Sequence, residues 1–386
     1  MRLILLILLL SGDACGGHVG PSTASPPQPA VSLSNDECTP FGECARPPAS
    51  RRRVLLLSSL AVVDGDRFRD ELGRMLDSMP QGGKPRRLAF VPTASRVSGS
   101  RAPAAADDAD ELRRQRALRA DTSRKRAENL ACALGASLFE LHLDDIADAA
   151  EAVAREGSST SSDAREVELA AAVVAAEALD RALEGTVAVL VGGGNTFFLA
   201  STLRRAGLGT ALRDAVTTRN LVYIGQSAGA IVAGASIATA LWKGWDALDF
   251  GEGTGWTEAR GAFGGLALLG SSRLSLFPHY EAERWGALVA ARAPELRGSA
   301  VAARAPLTLA DAGETIITPE LVALPDNYAL LWEQSGEEVV MRLYNTAGKA
   351  WAAASADDGR TWHAAAETAP TCAIRPTEAP AQVEGQ

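Results

Sequence analysis

Short apolar segments alternate with amphipathic segments along most of this chain. Five short, mainly apolar segments have the length and composition of strands, and the first of them, residues 54–58, is a continuous run typical of a strand buried on both faces. The five segments cover residues 54–58, 88–92, 137–143, 186–191 and 221–224. Residues 66–79 and 164–184 instead repeat apolar positions at helical spacing, and a further helix is expected to end near Gly135.

This alternation predicts the fold class. Strands that alternate with helices form an α/β fold, here a mostly parallel, doubly wound sheet flanked by helices. After residue 266 the pattern changes to short strands, at 274–277, 314–317, 328–332 and 339–344, which predict C-terminal β hairpins. Parallel sheets of this kind bind ligands at the carboxyl ends of their strands.

Composition shifts divide the chain into four parts. Residues 1–15 are predicted to be a signal peptide, and residues 16–52, rich in Pro and Ser, a disordered tether. Residues 53–335 are predicted to form the main globular domain, and residues 336–386 a β extension and tail. Within the domain, residues 96–125 are rich in charge and Ala, which predicts an inserted surface loop and an exposed helix.

The N-terminus indicates export. Its apolar run, residues 3–10, is too short to span a membrane but suits a secretory signal. Cys15 follows Ala14 and resembles a bacterial lipoprotein acylation site, although Gly12 and Asp13 depart from the usual pattern. We therefore expect a periplasmic or secreted protein, with membrane attachment through a lipidated Cys15 as one form of it.

Charge and cysteine spacing restrict the partners. The formal charge of −9 over 386 residues argues against nucleic-acid binding, which needs a basic surface. Cys38 and Cys44 could close a small disulfide loop outside the cytosol, and Cys132 is expected to be buried in a helix. Because no Cys-x-x-Cys pair occurs, we expect no structural zinc site. The motifs described below imply no metal or cofactor either.

A serine lies on a predicted sharp turn between a strand and a helix. The segment Gly225-Gln226-Ser227-Ala228-Gly229 has the G-x-S-x-G form of a nucleophile elbow, with glycines that relieve crowding around the serine. A serine at a helix start is also a common cap, so the motif alone leaves both interpretations open. In the catalytic interpretation, Ser227 needs a nearby base.

Four histidines could supply that base. His18 lies in the tether, His142 inside a predicted strand, and His363 in a C-terminal hairpin. His279 follows the apolar run 274–277 at the position where a parallel strand delivers a side chain to the active edge. We therefore predict that His279 is the base.

The run Gly192-Gly193-Gly194 also follows a strand and precedes a helix. It matches neither a dinucleotide-binding loop nor a Walker loop, and no Lys follows it. Glycines permit close backbone approach, so this turn is predicted to offer backbone N–H donors to an oxyanion.

Three motifs together resemble peptidase E, the aspartyl dipeptidase family of serine peptidases. They are GGGNTFFL, IGQSAGAIVAG and FPHYEAE, and the resemblance covers residues 53–335. It implies a fold similar to class I glutamine amidotransferases, with Ser227 as nucleophile and His279 as base. It also implies oxyanion or substrate contacts from Gly193, Gly194, Asn195 and Ala228, and recognition of an acidic substrate side chain by Arg284.

The third member of the triad is left open by this resemblance. Some family members have an Asp about fifteen residues after the serine, where this chain has Trp242. Asp326, in VALPDNYALL, stands where related enzymes have a Glu, and Asp246 is the second candidate. An Asp is one methylene shorter than that Glu, so we expect the local geometry to adjust.

These features predict a serine peptidase that hydrolyses short peptides, such as Asp-Xaa dipeptides, through an acyl-enzyme. Two alternatives remain at this stage. One is a cyanophycinase-like exopeptidase that acts on a larger acidic polymer. The other is an inactive surface lipoprotein that uses the same fold as a binding module, which the Trp at position 242 favours.

Overall fold

A computed structural model describes much of the chain from residue 51 onward, in one compact unit of residues 50–386. The described residues are 51–60, 66–77, 85–96, 106–157, 163–248, 263–270, 274–296, 316–317, 320–336, 338–345, 350–355 and 363–364. The predicted signal peptide, Cys15, the Cys38–Cys44 loop and the predicted tether up to residue 50 lie outside these ranges. Arg51 and Arg52, which were predicted to belong to the tether, are the first residues of the strand Arg51–Leu57.

The main sheet has nine strands in the order β12-β11-β10-β9-β1-β5-β4-β2-β3. Strands β1, β5, β4, β2 and β3 are mutually parallel, and β9 to β12 extend the sheet from β1 in antiparallel pairs. The bounds are β1 Arg51–Leu57, β2 Arg86–Val91, β3 Ala136–Glu140, β4 Thr186–Val191, β5 Val222–Gln226, β9 Tyr328–Ser335, β10 Glu338–Asn345, β11 Ala350–Ser355 and β12 His363–Ala364.

A second sheet of three strands has the order β6-β8-β7. Its strands are β6 Ser275–Pro278, β7 Ile316–Ile317 and β8 Leu321–Leu324. β6 and β8 are parallel, with Pro278 opposite Leu324 in the last register position. The residues that follow these two strands therefore emerge side by side.

Eight α-helices are described with the two sheets. They are α1 Asp66–Asp77, α2 Ala106–Ala133, α3 Leu143–Gly157, α4 Ala164–Ala182, α5 Thr196–Arg204, α6 Leu208–Thr218, α7 Ala228–Ala233 and α8 Ala282–Arg292. In the described part of the chain, no helix combines the length and the apolar composition that crossing a membrane requires.

Both faces of the main sheet are covered, which explains why its central strands are apolar without interruption. Val54 and Leu56 of β1 face a core formed with α3 to α7 and the second sheet. Leu55 and Leu57 face the opposite core, formed with α1 and α2. Helix α8 packs separately on the second sheet through Val289.

The predicted α/β class with a mostly parallel, doubly wound sheet is confirmed. The five predicted strands of the parallel part are present with end shifts of up to three residues. Helix α3 and strand β8 were not predicted. The helix expected in the insert and the helix expected to end near Gly135 are one continuous helix, α2.

Two smaller expectations were wrong. The third strand ends at Glu140, so His142 lies after the strand rather than inside it. Cys132 is exposed, because α2 turns Ala127, Leu130 and Ala131 toward the sheet instead. Residues three and four apart share a helix face, and position 132 falls outside that face.

Replacing Leu56 by Ala should cost about 2–5 kcal/mol of unfolding free energy, because the cavity would open in a fully buried central strand. The matched control is Leu169→Ala on α4, where the side chain is 67% exposed and the change should stay within about 0.5 kcal/mol. Denaturant unfolding measures both. Equal losses in the two variants would contradict the described position of β1.

Candidate active site

The serine at position 227 occupies a strained turn. β5 ends at Gln226 and α7 begins at Ala228, so Ser227 alone makes the change of direction. Its φ of 51° and ψ of −108° are uncommon for a residue with a side chain. Such a conformation costs about 1–3 kcal/mol, and it persists only where the surroundings enforce it.

Two glycines make this turn possible. A Cβ on Gly225 would lie 2.5 Å from the Gly229 carbonyl oxygen, and a Cβ on Gly229 would lie 2.1 Å from the Val191 carbonyl oxygen. The Tyr223 hydroxyl, fully buried, donates to the same Gly229 carbonyl at 2.7 Å. The glycines of the G-x-S-x-G segment therefore let α7 lie directly against β4 and β5.

His279 reaches the serine from the second sheet. It follows β6, and its Nε2 lies 2.9 Å from Ser227 Oγ. Like the serine, it has a left-handed backbone, with φ of 54°. With Nε2 as the acceptor of the serine proton, Nδ1 carries the ring hydrogen.

Asp326 accepts a hydrogen bond from the His279 Nδ1–H group. Its Oδ1 lies 2.5 Å from His279 Nδ1, because Asp326 follows β8 and β8 runs beside β6. This hydrogen bond from His279 lowers the pKa of the Asp326 carboxyl group, and partial burial opposes the shift. Ser227, His279 and Asp326 thus form one continuous chain of hydrogen bonds.

Ser58, which directly follows β1, supports this chain from the main sheet. Its buried hydroxyl donates to Asp326 Oδ1 at 3.0 Å and accepts from the His279 backbone N–H at 2.5 Å. The same hydroxyl therefore fixes both the carboxylate and the backbone of the imidazole. Sequence reasoning missed this residue, and its one available signal was a polar side chain at the end of a buried strand.

Asp246 has a different partner. Its Oδ2 accepts a hydrogen bond from the Thr196 backbone N–H at 3.2 Å, at the start of α5. Burial raises the pKa of the Asp246 carboxyl group. Of the two candidate carboxylates, the structure therefore brings Asp326, and not Asp246, to His279 Nδ1.

Asn195 also has a role within the fold. Its side chain is fully buried, with Oδ1 accepting from the Phe198 N–H at 2.9 Å as the N-cap of α5. Its Nδ2 donates to the Ala247 carbonyl at 2.9 Å. Both ends of the carboxamide are engaged inside the protein, and the predicted oxyanion or substrate contact at Asn195 stays a prediction.

The glycine turn after β4 lies against the serine. A Cβ on Gly193 would lie 3.0 Å from Ser227 Cβ, and Gly194, with φ of 142°, would place a Cβ 2.0 Å from the Ala94 carbonyl oxygen. The Gly193 N–H donates to Gln226 Oε1 at 2.7 Å. The predicted oxyanion donor at Gly193 thus already holds a carbonyl oxygen, supplied by the residue before the serine.

An aromatic wall stands beside the imidazole. The Trp245 ring, 43% exposed, lies 5.8 Å from the His279 ring and meets Trp285 edge-on at 5.9 Å. The guanidinium of Arg284 lies 4.6 Å from the centre of the Trp285 ring. Among the described residues, Arg284 forms no ion pair. Trp242, at the position where some peptidase E members have an Asp, packs against Phe277.

The other described histidines, His142 and His363, contact residues outside this chain of hydrogen bonds. His142 contacts Arg96 through Nδ1 at 2.9 Å and Glu140 through Nε2 at 3.2 Å. His363 lies in β12, where it pairs with Ala354 of β11.

Comparisons with known proteins agree with these motifs. The sequence model of Peptidase family S51 matches residues 158–335, a segment that contains Ser227, His279 and Asp326. No curated protein matches the chain.

Two solved structures are similar to the chain. One, described as a candidate peptidase E from Listeria monocytogenes EGD-e, has 16% identity and a TM-score of 0.41, and the match covers 76% of this chain and 98% of that one. The other, a peptidase from an acI-B1 Actinobacterium, has 11% identity and a TM-score of 0.37, with 78% and 95% covered. Residues 158–335 are thus similar to Peptidase family S51, and the matched segment contains all three residues of the hydrogen-bonded chain.

Proposed function

We propose that the chain hydrolyses short peptides through an acyl-enzyme formed on Ser227. The observation that carries this proposal is the unbroken hydrogen-bond chain Ser227–His279–Asp326, with distances of 2.9 and 2.5 Å. A serine hydroxyl becomes an effective nucleophile when a positioned base removes its proton as it attacks.

The steps follow from this arrangement. Ser227 Oγ attacks the peptide carbonyl carbon while His279 Nε2 takes the hydroxyl proton. Asp326 stabilises the imidazolium that forms, since its carboxylate already accepts from Nδ1. His279 then gives the proton to the leaving amine, and the peptide bond breaks. Water, deprotonated by the same imidazole, releases the acyl group and restores the serine.

The tetrahedral intermediate needs donors for its oxyanion. We assign this role to the backbone N–H groups of Ala228, the residue after the nucleophile, and of the Gly193–Gly194 turn. In the absence of substrate, the Gly193 N–H donates to the side-chain oxygen of Gln226. In the proposed mechanism, the oxyanion of the substrate takes the place of that Gln226 oxygen.

Substrate preference is assigned to Arg284. Its exposed guanidinium lies on the aromatic wall that contacts His279, and no described carboxylate neutralises it. A guanidinium can hold a carboxylate through two parallel hydrogen bonds. This supports dipeptides with an acidic first residue, such as Asp-Xaa, as substrates.

An inactive binding module has less support than a peptidase. Its main argument was the Trp at position 242, but Asp326 supplies a carboxylate to His279 from another strand. A cyanophycinase-like activity would use the same triad on a longer acidic chain, and it differs from our proposal only in substrate length.

A fluorophosphonate probe should label the protein at Ser227. Ser227→Ala should abolish labelling without lowering the unfolding free energy, because Ala228 and the glycines still define the turn. Intact-mass spectrometry and a denaturation curve measure the two quantities. Labelling that persists in Ser227→Ala would place the nucleophile elsewhere, and no labelling of the unmutated protein would favour the binding module.

Asp326→Asn should slow hydrolysis and labelling by about 10²–10⁴-fold, because an amide cannot hold the imidazole in its reactive tautomer. The matched control is Asp246→Asn, which alters the contact with Thr196 and removes a nearby charge but no hydrogen bond to His279, and it should change the rate less than about tenfold. Rates of labelling, measured side by side, decide the ranking. A larger loss in Asp246→Asn would overturn this assignment of the carboxylate.

Arg284→Gln should raise KM for Asp-Leu by about tenfold or more while leaving hydrolysis of Leu-Leu nearly unchanged, since one charge-assisted pair would be lost. Arg292→Gln is the control: it lies on the same helix and pairs with Glu295. Steady-state kinetics on both dipeptides measure the effect. Equal rates of the unmutated enzyme on Asp-Leu and Leu-Leu would exclude this role.

A further inference from the structure

Lys243 lies in the loop after the 3₁₀ turn Ala238–Leu241, and its side chain reaches the backbone of His279. Its ammonium group donates to the carbonyl of Pro278 and, at 2.9 Å, to the carbonyl of His279. These two carbonyls belong to the peptide groups on either side of the His279 Cα. One lysine therefore holds both peptide groups that determine the backbone conformation of His279.

Three aromatic rings surround the same ammonium group. The centres of Phe277, Trp245 and Trp285 lie 4.2, 4.6 and 5.4 Å from Lys243 Nζ. A cation over the faces of aromatic rings is attracted by their negative π surfaces. Two of these rings, Trp245 and Trp285, also form the wall beside His279. The lysine thus connects the wall to the backbone of the catalytic residue.

Burial disfavours the charged form of the Lys243 side chain. Burial lowers the pKa of Lys243 from 10.5 to about 7. The charged groups that face it are Asp326, Glu281 and Asp246, which favour the ammonium form, and Arg284, which opposes it. The ring of His279 contacts Trp245, one of the three rings around the ammonium group.

This shift has a consequence for stability. Between about pH 7 and 10.5 the unfolded chain binds more protons at this position than the folded chain does. Stability therefore rises with pH across that window, and the charged lysine weakens the fold below it. A residue whose charge opposes folding calls for an explanation other than stability.

The backbone conformation of His279 provides such an explanation. Its φ of 54° is left-handed, a conformation that needs external support in a residue with a side chain. Ser58 holds the N–H of His279, while Lys243 holds the carbonyls on both sides. We propose that Lys243 is a positioning residue of the peptidase reaction, whose Nζ–H donors keep His279 in the conformation that reaches both Ser227 and Asp326.

This inference rests on the proposed function, and its test includes a measurement that does not need hydrolysis. Lys243→Met keeps an unbranched apolar side chain, one atom shorter than lysine, that can still contact the rings, but it removes the donors. Lys125→Met is the matched control, on an exposed face of α2 where the lysine pairs with Asp121 at 2.7 Å. Both are compared with the unmutated full chain.

Three quantities are measured. They are the unfolding free energy, the far-downfield proton resonance of His279 Nδ1–H, assigned by its loss in Asp326→Asn, and the rate of fluorophosphonate labelling. In Lys243→Met we expect stability at least equal to the unmutated chain, a lost or shifted resonance, and labelling at least tenfold slower. With a dipeptide substrate, the loss should fall on kcat rather than on KM. Lys125→Met should change none of these.

The outcomes separate the two proposals. An unchanged resonance in Lys243→Met would overturn the positioning role, whatever the activity. A loss of stability in step with the loss of labelling would also overturn it, because the lysine would then be a structural residue. If the unmutated chain is not labelled but the resonance still depends on Lys243, the peptidase function fails and the positioning role stands.

Discussion

The hydrogen bond between Ser227 and His279 joins two separate sheets, and the proposed chemistry depends on it. Ser227 follows β5 of the main sheet, whereas His279 follows β6 of the small one. The relative position of the sheets is fixed by packing, since Leu276, Val322 and Leu324 of the small sheet share a core with α3 to α7. Interiors packed at this density tolerate little displacement, so the distance between oxygen and nitrogen is set by the whole core.

Close backbone packing and strain occur together at this junction. Ser227 and His279 both adopt left-handed conformations, and each is held by contacts from several elements. Gly225 and Gly229 allow α7 to approach the strands, and Ser58 fixes His279 from β1. The stability of the surrounding sheet offsets these local costs. Such strain is common where side chains must be aimed at a reacting atom.

Neighbouring ionisable groups of the site have pKa values that are shifted for different reasons. The imidazole lowers the pKa of Asp326, while burial raises the pKa of Asp246 and lowers that of Lys243. The two carboxylates are alike in sequence, but one accepts from an imidazole and the other from a backbone N–H of α5. Their surroundings, rather than their chemical identity, therefore assign the different roles we propose for them.

The sequence by itself determined the elements and the chemical type of the main participants. Uninterrupted apolar runs predicted strands covered on both faces, and the G-x-S-x-G segment predicted the strand, turn and helix around Ser227. Position after a strand singled out His279 among the four histidines. These features are local, so periodicity and spacing reveal them.

Only the tertiary structure decided which distant residues meet. The choice between Asp326 and Asp246 depended on β8 pairing with β6, and β8 was not recognised in the sequence. Ser58, Gln226 and Lys243 reach the site from three different segments, and each looks ordinary in its own. Contacts between residues far apart in the chain arise from packing, which a local pattern does not encode.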